Sequence, residues 1–206
     1  MAEVVMSNEV RVLKPVKATA ETLKGYGYLI GEPGISVLDK IDFYGTDVVV
    51  TQPAAFHGND DLCLNLVSFN PRPLNVKWME YHTKHTQTFI PLSGKPFYMV
   101  LGKPTARKAD GSWEEGQENL PNLNTIQAFE FDGTGGLVMH VGTWHEVPFP
   151  IKGATHFVCI CTNETNDNLE QGDHKGECEG GDLSKRNIET QFGVTLQIEP
   201  EPSNRD

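Results

Sequence analysis

The feature that most constrains this chain is a run of alternating residues that ends in a carboxylate and an imidazole. Every second position from 74 to 82 is occupied by Leu74, Val76, Trp78, Glu80 and His82. Alternate residues of an extended strand share one face. Burying an unpaired carboxylate costs several kcal/mol, roughly, so a buried Glu80 needs a cation or hydrogen-bond donors. The pattern therefore predicts a strand whose inward face continues into a site for chemistry.

Short strand-like segments separated by turns recur along the rest of the chain. Twenty Gly and thirteen Pro residues favour many turns, as in all-β proteins. Ser93-Gly94-Lys95 predicts a hairpin that joins strands over 86–92 and 96–101. Two short helices are predicted, over 19–24 and, with Ser184 as its cap, over 183–192. The pattern indicates an all-β sandwich or barrel of the jelly-roll kind with one or two short helices.

Length and composition bound the domain organisation. The 206 residues suit a single domain over 1–206. The stretch from 163 onward begins acidic and rich in Gly and Asn, which predicts an irregular C-terminal extension over 163–206. Residues 103–121 are polar and predict an excursion from the core.

Charge restricts the partners that the chain can have. The net charge is -11, which opposes nucleic-acid binding and repels a small anionic substrate unless a local cation or metal attracts it. The first ten residues carry charges and lack the apolar segment of a signal peptide, and no run approaches the length of a membrane helix. We expect a cytoplasmic protein without a membrane partner. No G-x-G-x-x-G follows a strand, so no nucleotide cofactor is expected.

Two spaced motifs resemble those by which the cupins, double-stranded β-helix proteins, hold a metal. Glu80-x-His82 is followed by Gln87 and by Gly94 at a turn, and Gly142-x-x-His145 comes later. The spacing predicts that Glu80, His82, Gln87 and His145 converge near one mouth of a cupin-like barrel. Two imidazoles, one carboxylate and one amide would suit a divalent ion such as Mn, Fe, Ni or Zn better than Ca.

The remaining histidines carry weaker signals. His57, His156 and His174 are read as ordinary core or surface residues. His85 lies in a turn-like segment, where it could be a metal ligand, a base or a solvated side chain.

Three sequence motifs are similar to those of the ureidoglycolate lyase family: Glu80-x-His82, then Thr86-Gln87-x-Phe89-Ile90-Pro91-Leu92-Ser93-Gly94, then His140-x-x-x-Trp144-His145. The resemblance covers roughly residues 10–165. It implies a cupin-like barrel, usually dimeric, with an amidine-type carbon–nitrogen lyase activity that splits ureidoglycolate into glyoxylate and urea. A homodimer is expected also because two-fold dimers are the commonest oligomers.

The resemblance, together with the chemistry of the side chains, implies roles for named residues. The catalytic candidates are His82, His140, His145 and Glu80. The substrate-binding candidates are Gln87, Tyr81, Trp144, Lys84 and Arg72. Two alternatives stay open: a metal-dependent cupin enzyme acting on another small hydroxy or keto acid, and a non-catalytic cupin that binds a small acid.

Overall fold

The computed structural model describes residues 9–31, 51–105, 119–171 and 176–200, and within these ranges the chain is mostly β. This confirms the all-β prediction. The helices are α1 (Asn163–Gln171), α2 (Ile188–Phe192) and a short 3-10 helix (Leu123–Thr125). Neither α-helix of this part of the chain has the length or the apolar composition needed to cross a bilayer. The strands in chain order are β1 (Glu9–Leu13), β2 (Val16–Lys17), β3 (Gly27–Ile30), β4 (Leu62–Phe69), β5 (Asn75–Val76), β6 (Trp78–His82), β7 (Thr88–Pro91), β8 (Phe97–Gly102), β9 (Gln127–Phe131), β10 (Gly136–Met139), β11 (Trp144–His145), β12 (Phe149–Pro150), β13 (Thr155–Thr162), β14 (Cys178–Gly180), β15 (Leu183–Asn187) and β16 (Val194–Ile198).

The described residues form three sheets, two of which enclose the first hydrophobic core. The five-stranded sheet has the order β3-β10-β7-β13-β4, and the eight-stranded sheet has the order β14-β15-β6-β11-β8-β9-β2, with β12 paired to β8. Phe89 and Phe157 from the five-stranded sheet pack with Phe97 and Phe129 from the eight-stranded sheet. The fold is cupin-like, with the two sheets arranged as a sandwich rather than as a closed barrel.

A second core covers the other face of the eight-stranded sheet. The three-stranded sheet β1-β16-β5 and helix α2 supply its outer layer. Met79 and Trp144 from the large sheet contact Leu196 and Ile188 in this layer. The C-terminal part of the chain is therefore built into the fold at the second core.

The expectation of an irregular extension after residue 163 was wrong for the described part of that segment. It contains α1, β14, β15, α2 and β16. Strand β15 pairs with β6 along its whole length, and β16 runs parallel to β1. These strands form because a partner strand is available, a cause that the polar composition of the segment does not reveal.

One of the two predicted helices is wrong, and the other is confirmed only in its second half. Residues 19–24 form hydrogen-bonded turns rather than a helix, with the Leu23 amide donating to the Thr19 carbonyl at 3.0 Å. Of the predicted helix over 183–192, only the second half is helical. Its N-cap is Asn187 instead of Ser184, and the Asn187 side chain accepts a hydrogen bond from the Thr190 amide.

The strand predicted over 74–82 is interrupted at Lys77. Strand β5 belongs to the three-stranded sheet and β6 to the eight-stranded sheet, and the Lys77 carbonyl accepts a hydrogen bond from the Ile188 amide. Val76 consequently packs in the second core with Met79. Glu80 shares its face of β6 with His82 but not with Val76.

Candidate active site

A polar cluster lies where β6 and β11 pair. Met79 and Tyr81 enter the second core, so the alternation along β6 directs Glu80 and His82 to the opposite, inner face of the sheet. His145 on β11 is the register partner of Glu80, and its Nε2 lies 3.6 Å from Glu80 Oε1. One ligand atom from each of Glu80, His82 and His145 lies within 4.8 Å of the others. The fold thus brings together residues from both sequence motifs.

Burial decides the charge of His82. Its side chain is almost inaccessible, and this burial, reinforced by the neighbouring His145, lowers the pKa of His82 to about 3. The imidazole is therefore neutral at physiological pH. Its Nε2 has no hydrogen-bond partner among the described residues.

The carboxylate of Glu80 and the ring of His145 are coupled. Burial alone would raise the pKa of Glu80, but the interaction with His145, followed by the charges of His82 and Lys185, holds it below its usual value. His145 Nδ1 lies 3.0 Å from the Thr143 carbonyl oxygen, which can only accept, so Nδ1 carries a proton. A bare Nε2 would then place its lone pair against an ionised carboxylate. A proton on Nε2, or a cation between the two groups, relieves this repulsion.

A second buried group adjoins His82. His85 Nδ1 lies 2.7 Å from Asp182 Oδ2, His82 Nδ1 lies 3.8 Å from the same oxygen, and the rings of His82 and His85 are 4.7 Å apart. All three side chains are buried. The sequence left the role of His85 open and missed Asp182, because Asp182 is one of many acidic residues in its segment and belongs to no spaced motif.

Gln87, the fourth predicted ligand, is buried just before β7. Its Oε1 has no hydrogen-bond partner among the residues that the structure describes. The side-chain oxygen is therefore available to a bound group.

Three predicted site residues are engaged elsewhere. Lys84 is exposed, and its Nζ contacts Glu164 on α1 at 2.6 Å. The Arg72 guanidinium stacks over the ring of Phe149 at 3.7 Å and borders a separate cavity of about 330 Å³. His140 follows the inward-facing Met139, so its ring lies on the outer side of the five-stranded sheet, edge-on to Tyr28 at 4.7 Å.

Tyr81 and Trp144 also lie apart from the imidazoles. They alternate with His82 and His145 along their strands, so their rings pack together on the opposite face, 4.5 Å between centroids. Both border a cavity of about 450 Å³. Their polar ends are satisfied: the Tyr81 hydroxyl donates to Asn119 Oδ1 at 2.6 Å, and Trp144 Nε1 donates to Thr105 Oγ1 at 2.8 Å. A substrate-binding role for them would involve this second cavity.

The donor set of the cluster fits a divalent cation. Two imidazole Nε2 atoms lack partners, and an ionised Glu80 lies beside them. The Thr143 carbonyl fixes the tautomer of His145 that leaves Nε2 free, as acceptors hydrogen-bonded to the other nitrogen of metal-bound histidines do.

Comparison with known proteins gives consistent results. A model of the ureidoglycolate lyase family matches residues 11–179. The ureidoglycolate lyase of Pseudomonas fluorescens is 28% identical over 99 residues, covering 48% of this chain and 52% of that protein. The ureidoglycolate lyase of Escherichia coli O1:K1 is 30% identical over 88 residues, covering 43% of this chain and 47% of that protein. The chain spans about half the length of the curated relatives that it matches.

Proposed function

The chain belongs to the ureidoglycolate lyase family, and from this premise we propose that it cleaves ureidoglycolate to glyoxylate and urea. The observation that carries the proposal is the buried cluster of Glu80, His82 and His145. All three residues lie inside the segment that matches the family. The cluster supplies neutral and charged groups of the kinds that proton transfer requires.

The reaction needs one base and one acid. The reacting carbon of ureidoglycolate bears a hydroxyl, a carboxylate and the urea nitrogen. When the hydroxyl loses its proton, the oxygen electrons form the carbonyl of glyoxylate and the carbon–nitrogen bond breaks. The bonding pair goes to the urea nitrogen, which takes up a proton. No net proton is consumed, so one group can perform both transfers, each accelerating the reaction by roughly 10²–10⁴.

We assign the proton transfers to His145, supported by Glu80. A positive charge on His145 is stabilised by the carboxylate 3.6 Å away, so the ring can hold the hydroxyl proton until the leaving nitrogen accepts it. His82, whose pKa is about 3, remains neutral and offers Nε2 as a hydrogen-bond acceptor or as a ligand atom.

A divalent cation is the alternative form of the proposal, because Nε2 of His145 cannot bind a metal and carry the transferred proton at the same time. Glu80, His82 and His145 would hold it, with Gln87 as a candidate fourth ligand. When bound, the ion supplies charge that lowers the pKa of a coordinated hydroxyl. It would also provide the local positive charge that draws an anion to a chain of net charge -11.

We propose that the chain acts as a homodimer in the cytoplasm. Leu64 and Leu66 on the edge strand β4 are 67% and 68% exposed, and they form an apolar stripe of the kind that protein interfaces cover. The four cysteines are free thiols, as in proteins of reducing compartments.

The activity is tested by incubating the purified protein with ureidoglycolate and measuring glyoxylate and urea. Equimolar release of both products, above the spontaneous rate, is expected. A rate equal to the spontaneous rate, in protein loaded in turn with Mn, Fe, Ni and Zn, would refute the proposed activity.

A further inference from the structure

Asp182 contacts the buried rings of His82 and His85, although it lies after the segment that matches the family. The family match ends at residue 179, and Asp182 lies in the turn between β14 and β15. Gly181 before it has φ 63° and approaches helix α1 so closely that a Cβ there would lie 2.7 Å from Asn168 Oδ1. The Asp182 amide donates to that same oxygen at 3.1 Å. The turn thus holds the Asp182 side chain in one place.

The carboxylate of Asp182 is a fixed anion surrounded by hydrogen-bond donors. Its Oδ1 accepts hydrogen bonds from the backbone amides of Thr83 at 3.0 Å and Lys84 at 2.7 Å. Its Oδ2 accepts from the hydroxyls of Thr162 at 3.2 Å and Thr165 at 2.9 Å. So many donors suit a group that orients its neighbours.

The contact with His85 determines where that ring carries its proton. His85 Nδ1 and Asp182 Oδ2 are 2.7 Å apart without the angle of a hydrogen bond, and at this distance two bare lone pairs would repel each other. A proton on His85 Nδ1 removes that repulsion. The Nε2 atom, which also has no hydrogen-bond partner among the described residues, then keeps its lone pair.

Thr165 links Asp182 to His82 and determines which ring nitrogen of His82 carries the proton. The Thr165 hydroxyl lies 2.9 Å from the Asp182 carboxylate and 3.1 Å from the neutral Thr162 hydroxyl, and we assign its single proton to the nearer, charged acceptor. Its oxygen then accepts from His82 Nδ1, 3.4 Å away. His82 is thereby also held with its proton on Nδ1. Its Nε2, which has no hydrogen-bond partner among the described residues, keeps its lone pair.

We propose that Asp182 is a positioning residue that sets the Nδ1–H tautomer of His85 directly and of His82 through Thr165. The consequence is that Nε2 is buried and unprotonated in both rings. What these nitrogens then do rests on the proposed function, but the tautomers themselves do not.

The test is ¹⁵N NMR of the imidazole nitrogens in three variants. In Asp182→Asn, the amides of Thr83 and Lys84 require the amide oxygen at the Oδ1 position, so the NH₂ replaces Oδ2 and cannot accept. We expect both rings to populate the Nε2–H tautomer and kcat to fall by about 10–100-fold, as on loss of an outer-shell partner. In Thr165→Val only His82 should change.

The control is Asp61→Asn. Asp61 accepts a hydrogen bond from the Glu164 amide at the start of α1, so this variant loosens the same helix without touching either ring. Its tautomers should equal those of the wild type. Unchanged tautomers in Asp182→Asn, or the same change in Asp61→Asn, would overturn the positioning role. If the tautomers shift as expected in a protein that does not cleave ureidoglycolate, only the proposed reaction fails.

Discussion

His145 and Glu80 are register partners across the antiparallel pair of β11 and β6, and their side chains meet at 3.6 Å on the inner face of the sheet. Opposite residues of a sheet are held at a nearly fixed separation by the backbone. The acid–base pair is therefore set by strand pairing rather than by a mobile loop.

Removing the charge of Glu80 should slow turnover without unfolding the protein. Glu80→Gln keeps the size of the side chain but no longer stabilises a positive charge on His145, so kcat should fall by about 10²-fold. The measurement is the initial rate of glyoxylate release. Glu130→Gln, an exposed glutamate on β9 of the same sheet, should keep the wild-type rate. Wild-type turnover in Glu80→Gln would remove Glu80 from the mechanism.

The motif histidines should differ from an exposed one. His82→Ala and His145→Ala each remove a proton-transfer or ligand group, so each should cost at least about 10²-fold in turnover and lower the bound metal measured by elemental analysis. His156, exposed on β13 and bonded to Ser68, provides the matched control: His156→Ala should change neither. His174, for which the sequence also predicts no role, lies outside the described residues. Full activity in both motif variants would refute the catalytic or ligand role of His82 and His145.

His82 should make the metal-free protein less stable in acid. Its pKa is about 3 when folded and about 6.5 when unfolded. As the pH falls below 6.5, the unfolded chain therefore binds a proton that the folded chain does not, and the free energy of unfolding decreases. Between pH 7.5 and pH 5 this loss should be about 2 kcal/mol. Urea titrations of chelator-treated protein at the two values measure it. His82→Gln should lose correspondingly less, and an equal loss would contradict the prediction.

Gly181 should be more sensitive to substitution than another glycine of the same conformation. Gly181→Ala places a methyl group 2.7 Å from Asn168 Oδ1, whereas Gly193, with a nearly equal φ of 66°, has open space around it. Both variants incur about 1–2 kcal/mol of left-handed strain, but only Gly181→Ala should also displace Asp182 and reduce kcat. Thermal unfolding and turnover together separate the two effects. Equal activity in both variants would show that the turn tolerates the displacement.

The proposed dimer face should respond to charge. Leu64→Lys combined with Leu66→Lys places two cations on the exposed stripe of β4, and light scattering should report monomer where the wild type is dimeric. Val12→Lys is the control, because Val12 is also exposed but lies on β1 of another sheet. A variant that stays dimeric, or a wild type that is monomeric at micromolar concentration, would refute this face as the interface.

Much of the site could be predicted because strand alternation is a local property. The spacing of Glu80 and His82, and the later His145, predicted their convergence without knowledge of the sheets. The same alternation, applied to their neighbours, would have placed Tyr81 and Trp144 on the other face. Tyr81 and Trp144 were predicted to bind substrate because they lie within the motifs, but strand alternation separates them from the imidazoles.

What the sequence could not predict depended on distant partners. Ser93-Gly94-Lys95 has hairpin chemistry, yet β7 and β8 belong to different sheets, because the turn carries the chain across the sandwich. The break at Lys77 follows from a hydrogen bond to Ile188, more than a hundred residues away. Asp182 gives no local signal, since its role arises from the pairing of β15 with β6.

That pairing makes the site and the C-terminal segment one cooperative unit. Lys185 is the register partner of Glu80, and Leu183 is the partner of His82, so β15 cannot separate from the sheet without exposing the backbone beneath the cluster. Amide protons on the two strands should therefore exchange with solvent through the same opening event. Truncation between α1 and β15 would then abolish catalysis by removing the strand that pairs with β6, which carries Glu80 and His82, while the first core, whose described residues all precede α1, would stay in place.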